Sequence, residues 1–212
     1  MHRVSGWTRQ MLLDGNLVML DNLKKYKVVL ASASPRRREL MQGLDIPFEV
    51  RSLPDVDESF PQELQGGDIP LYISQIKANA YRSFMGDDEL IITADTIVWL
   101  DGSALGKPID EEDARRMLHN MSGKTHSVYT GVTITTKNEQ RSFVACSDVL
   151  FASLSDEEVD YYINKYSPMD KAGAYGVQEW IGYIGIEKIE GSYFNVMGLP
   201  VQRLYGELKK IS

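Results

Sequence analysis

The run from Leu90 to Leu100 constrains the fold of this chain more than any other stretch. It is almost continuously apolar, the pattern of a strand covered on both faces, and such a strand needs layers packed above and below it. One carboxylate interrupts it, within Ile91-Ile92-Thr93-Ala94-Asp95-Thr96-Ile97-Val98. Burial without a partner would be costly for Asp95, so the residue requires a cation, a metal ion or local bonding through Thr96 at a strand end.

The flanking segments supply those layers. Tyr26 to Ser32 reads as another buried strand, followed by a helix from about Pro35 to Gln42 that Gly43 stops. Phe48 to Ser52 is a short strand and Leu53 to Gly67 a loop rich in Pro, Asp, Glu and Gly. Residues 69–85 place Ile73, Ile76, Ala80 and Phe84 at helical spacing, and Asp110 to Asn120 is a helix with acids in its first turn. Thr125 to Thr136 and Arg141 to Ser153 form a hairpin around residues 137–140. Ser155 and Glu158 are spaced as a capping box, a Gly-rich region spans Ala172 to Gly191, and an amphipathic helix runs from about Leu199 to Lys210. Strands and helices mixed around a central hairpin point to a mixed α/β fold.

At 212 residues the chain can bury a full core without disulfide or metal support. The formal charge of −7 argues against a broad basic surface for nucleic acid. With only Cys146, no intrachain disulfide forms, which fits a reducing, cytoplasmic setting, and His2, His119 and His126 show no zinc spacing with it. No segment is long and apolar enough to cross a bilayer. Asp14-Gly15-Asn16 interrupts any signal-peptide core, and the convincing pattern starts near Met19, so residues 1–18 are expected to form a poorly packed extension of a single domain over 19–212.

Several groups carry chemistry. Ser34 is placed as the N-cap of the first helix, and Arg36, Arg37 and Arg38 follow in its first turn. Cations at that end oppose the helix dipole, an arrangement that a polyphosphate would relieve; the alternative is a solvated, charged face. Acids at Asp55, Asp57 and Glu58 gain meaning only if they pair with Asp95, since two carboxylates plus phosphates suit Mg²⁺. Lys107 lies in Gly106-Lys107-Pro108, and Gly102 to Pro108 is no Walker loop because its glycine spacing is short and proline replaces Ser or Thr.

Taken together, the motifs resemble the Maf family of nucleoside triphosphate pyrophosphatases, relatives of the inosine-triphosphatase group. The matching segments are Ser32-Ala33-Ser34-Pro35-Arg36-Arg37, Val56-Asp57-Glu58, the lysine of Gln75-Ile76-Lys77-Ala78, Ala94-Asp95-Thr96 and Gly106-Lys107-Pro108. Further matches are Met121 to His126, Tyr129-Thr130-Gly131, Lys171 to Tyr175 with Gln178, and Gly198-Leu199-Pro200. The resemblance implies a mixed sheet flanked by helices, with two lobes around a nucleotide-binding cleft as in inosine triphosphatases. It implies hydrolysis of a triphosphate to the monophosphate and pyrophosphate, with a divalent cation, Mg²⁺ or Mn²⁺. Asp95 would be the general base, and Glu58 and Asp95 would hold the metal. Ser34, Arg37, Lys77 and Lys107 would hold phosphates. Arg36, Thr96 and Gln178 match the branch acting on dTTP and UTP; the 7-methyl-GTP branch carries Trp, Gln and Glu there. Members are cytoplasmic and often homodimeric, with a link to arrest of cell division, so a nucleotide-binding regulator of septation is the non-enzymatic alternative. Core packing is the expected role of Trp180 and Tyr183 beside Gln178.

Overall fold

The computed structural model describes residues 19–51 and 56–212; the expected extension over residues 1–18, and Asp55 of the acidic loop, lie outside the described residues. A seven-stranded mixed sheet forms from β1 (Lys27–Leu30), β2 (Glu49–Val50), β3 (Glu89–Leu100), β4 (Ser103–Leu105), β5 (Thr125–Thr135), β6 (Gln140–Phe151) and β7 (Ile186–Glu190). Its order is β2-β1-β3-β5-β6-β7, with β4 also paired to β3. The β1 strand runs parallel to β2 and β3, whereas the β3–β5, β5–β6 and β6–β7 pairs are antiparallel.

The apolar run becomes the central strand, and its two faces divide by alternation. Ile92, Ala94 and Val98 enter the main core, packed under α3 (Glu111–Met121), α4 (Asp156–Tyr166) and α7 (Val201–Leu208). Ile91 and Ile97 face α2 (Asp68–Arg82), meeting Tyr81 and the Ile69–Ile73 pair respectively. Burial on both faces is therefore real. On the α2 face Thr93 donates to the Ser74 carbonyl at 2.7 Å, tying helix to strand.

Two glycines set how closely layers approach. A Cβ on Gly131 of β5 would lie 2.3 Å from the Pro70 carbonyl, so the start of α2 rests directly on the strand backbone. Gly198 has φ of +113°, which lets the chain turn between α6 (Tyr193–Met197) and α7. The helix expected over 199–210 is α7, and α6 is a further short helix before it. The Gly-rich region 172–191 contains α5 (Trp180–Gly185) and β7, and the helix from Pro35 becomes α1 (Pro35–Gln42). The capping box at Ser155 forms, with Ser155 N–H donating to Glu158 at 2.8 Å and Glu158 N–H to Ser155 at 3.3 Å.

His126 on β5 is 2% exposed, packs edge-on against Phe151 and Tyr175, and has Nε2 2.8 Å from the Tyr175 hydroxyl. Burial lowers its pKa to about 4, only partly opposed by the charge of Asp148. The folded value lies below the unfolded one, so the unfolded chain gains protons first as pH falls. Stability contributed by neutral His126 is full above about pH 6.5 and is lost on acidification toward pH 4, by about 3 kcal/mol. Urea unfolding at pH 7.5 and pH 4 should show a smaller acid-induced loss in His126→Phe than in the wild type by that amount. Equal losses in the two proteins would show that His126 titrates normally.

Candidate active site

The site follows from where β1 and β4 stop pairing with β3. The β1 strand pairs with residues 89–92 and β4 with residues 98–100, so the β3 edge over residues 93–97 has neither as a neighbour. A cleft of about 650 Å³ lies there, beyond the carboxyl end of β1. Crevices at such strand ends are where open α/β sheets hold ligands. Because the edge is open, side chains of both faces reach the cleft: Asp95 from the α2 face and Thr96 from the other.

Asp95 is not left unpaired. Its Oδ1 accepts from Nζ of Lys77 at 2.8 Å, and the same Nζ lies 3.0 Å from Oε1 of Glu58. The lysine side chain is 6% exposed and that of Asp95 14%, whereas Glu58 is 54% exposed. A four-carbon stem on α2 thus delivers one buried ammonium between two carboxylates, one fixed by the sheet and one on a loop. Among the described residues Oδ2 of Asp95 accepts no hydrogen bond, so one oxygen remains for a water or a cation.

The first turn of α1 divides its three arginines. Ser34 caps the helix as expected, accepting from Arg37 N–H at 3.4 Å, with Pro35 at the first helical position. Arg37 turns inward. Its Nε donates to the Gly198 carbonyl at 2.9 Å, Nη1 to the Ala94 carbonyl at 2.9 Å and Nη2 to Thr96 Oγ1 at 3.0 Å. Burial lowers its pKa, with the charge of Asp95 acting in the opposite direction. Arg36 pairs with Asp170, through Nη1 to Oδ2 at 2.8 Å and Nη2 to the carbonyl at 3.4 Å, while Arg38 faces outward. Much of the dipole conflict at this helix start is therefore met by protein groups, and Arg37 uses three N–H groups to pin α1 to the open edge beside Asp95.

Lys107, Thr96 and Gln178 line the same cleft. Lys107 is exposed and has no ion-pair partner among the described residues. Thr96 also contacts Thr130 Oγ1 at 3.0 Å, so its hydroxyl belongs to a packed network. Oε1 of Gln178 is buried and has no hydrogen-bond partner among the described residues. Trp180 packs edge-on against Tyr161, but Tyr183 is 82% exposed, which corrects the expectation of core packing there. The exposed position on α5 had no sequence signal because neighbouring Gly residues obscure the helical period. Sequence reasoning also passed over Asp170, which lines the cleft and pairs with both Arg36 and Lys171. Burial opposes its ionisation, but hydrogen bonds from Lys171 and Arg36 outweigh that and bring its pKa to about 2.

Five cationic and three carboxylate side chains line the cleft, a positive balance inside a chain of formal charge −7. Such a local reversal attracts anions. For a divalent ion, Glu58 and Asp95 converge on one ammonium and offer the hard oxygens that Mg²⁺ takes. Among the described residues no cluster of three or more potential ligands forms a cage.

Fold and site together define an α/β protein whose cleft suits a polyanion. Comparison with known proteins then places it: the Maf-like protein family signature matches residues 27–211, and the chain belongs to the Maf family. It is 65% identical over 193 residues to a protein of Phocaeicola vulgatus named dTTP/UTP pyrophosphatase, covering 91% of this chain and 100% of that one. Proteins of the same name from Bacteroides thetaiotaomicron and Porphyromonas gingivalis (strain W83) are 64% and 59% identical, covering 91% and 90% of this chain and 100% and 97% of theirs. A crystal structure of a nucleoside-triphosphatase, dITP/XTP pyrophosphatase, from Mycobacterium abscessus overlaps with a TM-score of 0.41 at 13% identity, covering 85% of this chain and 93% of that one. No helix among the described residues is long and apolar enough to cross a membrane.

Proposed function

We propose that this chain hydrolyses dTTP and UTP to the nucleoside monophosphate and pyrophosphate. The observation that carries the reading is a carboxylate held by a buried lysine at an open strand edge, inside a cleft whose charge is opposite to that of the chain. The names of its relatives agree with it.

In this reading Asp95 takes the proton of the attacking water on the oxygen that Lys77 leaves unused. The water oxygen bonds to phosphorus, the bridge between the α- and β-phosphates breaks, and pyrophosphate leaves with the electron pair of that bridge. Lys77, held 2.8 Å from Asp95, keeps the carboxylate oriented and meets charge that builds on the phosphate oxygens. Lys107, with no protein partner among the described residues, is free to follow the triphosphate, and Ser34 and Arg37 shape its bed at the start of α1. A divalent cation bound by Glu58 and Asp95 would supply Lewis-acid polarisation of the phosphates. Gln178 lines the cleft, and its neutral amide can both donate to and accept from a pyrimidine edge.

The test is a panel of triphosphates with Mg²⁺ or Mn²⁺, scored by chromatography. TMP with pyrophosphate from dTTP is the expected result, with UTP close behind and 7-methyl-GTP poor. TDP with orthophosphate as the main products would overturn the bond assignment. Preference for 7-methyl-GTP would overturn the base assignment, and binding without turnover would make the chain a nucleotide sensor.

A further inference from the structure

Four charges alternate at one side of the cleft: Arg36, Asp170 and Lys171 line it, and Glu179 lies behind them, paired to Lys171. Asp170 holds Arg36 by both its carboxylate and its carbonyl, at 2.8 and 3.4 Å. Its other carboxylate oxygen is 2.7 Å from Nζ of Lys171, and that Nζ lies 3.0 Å from Oε1 of Glu179. The second oxygen of Glu179 accepts from the Tyr162 hydroxyl, which in turn accepts from Gly176 N–H at 3.0 Å. Glu179 N–H donates to the Gly176 carbonyl at 3.0 Å, closing a turn that contains Gln178. There is no slack in that turn: a Cβ on Gly176 would lie 3.0 Å from the Glu179 carboxyl carbon and 3.1 Å from Lys171 Cε.

We infer that Asp170 and Lys171 are positioning residues for base selection, holding Arg36 and the Gln178 turn at one fixed separation. The inference rests on the pyrophosphatase reading, in which Arg36 and Gln178 read the base. Arg36 is long and flexible, and two contacts to one residue remove most of its rotamer freedom. Stability alone is a poor account of the outer pair, because Asp170 is 57% exposed and exposed ion pairs contribute little. Lys171 is different. Its side chain is 8% exposed and lies between two carboxylates, so it links the solvent-facing half of the row to the buried half.

The experiment is a double-mutant cycle of Arg36→Ala and Asp170→Asn, read as the ratio of kcat/KM for dTTP to that for GTP. Asp170→Asn by itself should lower the ratio about tenfold, mostly through KM for dTTP, with a melting temperature near that of the wild type. In the Arg36→Ala background the same change should move the ratio less than about twofold, since the residue through which it acts is gone. An unchanged ratio in the first comparison, or the same factor in both backgrounds, would overturn the inference. Lys171→Met read against Gln178→Ala tests the other end of the row; should it fail to fold, the Asp170 cycle still decides. If the wild type hydrolyses neither dTTP nor UTP, the functional reading falls, and the cycle is read on nucleotide Kd by calorimetry with Mg²⁺. Additive effects there would overturn the positioning role by itself.

Discussion

Asp95→Asn should lower pyrophosphate release from dTTP by about 10²–10⁴-fold, the range that a positioned general base supplies. Loss of a metal oxygen would deepen the effect. The substitution keeps the shape of the side chain and its place on β3, opposite Gly131 of β5. It also keeps an oxygen within reach of Lys77, and Glu58 still lies 3.0 Å from that ammonium, so the buried cation is not stranded. The fold should therefore survive with a melting temperature within a few degrees of the wild type. This separation of effects is what makes the test sharp. Turnover within a factor of about three of the wild type would remove Asp95 from the chemistry; a large drop in melting temperature would instead mark it as a structural counter-ion to Lys77.

How far the sequence announces this site can be read from individual residues. Asp95 was visible because a carboxylate inside an apolar run is costly, and the structure shows how the cost is met, through Lys77. Lys77 itself was invisible to that logic: a lysine within a helix is solvated in most proteins, and only the resemblance singled it out. The start of α1 shows what a local pattern cannot see. Its arginines read as a plea for an anion, yet Asp170 and three oxygen acceptors supplied by Ala94, Thr96 and Gly198 meet Arg36 and Arg37. Those partners are 57 to 161 positions away, beyond any local pattern. The same distance hides the charged row at Asp170. Among the elements, long periodic segments were legible, whereas β4 and β7 were not, because three- and five-residue strands beside glycines have too little period to register. The short helix α6 was lost for the same reason.

The largest stability effect should come from Gly131→Ala, a change of one methyl group. The Cβ it adds would sit 2.3 Å from the carbonyl carbon and oxygen of Pro70 and 2.4 Å from Leu71 N. These are backbone atoms, which no rotamer change moves aside, so the start of α2 must lift or β5 must buckle. Overpacking in a core costs about 1–3 kcal/mol when side chains absorb it and more when they do not. For a chain of this length a loss of about 4 kcal/mol corresponds to about 10 °C or more in melting temperature. Activity should fall further than stability, because α2 carries Lys77 and a small displacement breaks its 2.8 Å contact with Asp95. The matched control is Gly106→Ala, in the turn before Lys107, where an added Cβ meets nothing within 4 Å. That variant should melt like the wild type. If Gly131→Ala also melts like the wild type and keeps full turnover, the tight contact between α2 and β5 is not what sets the position of Lys77.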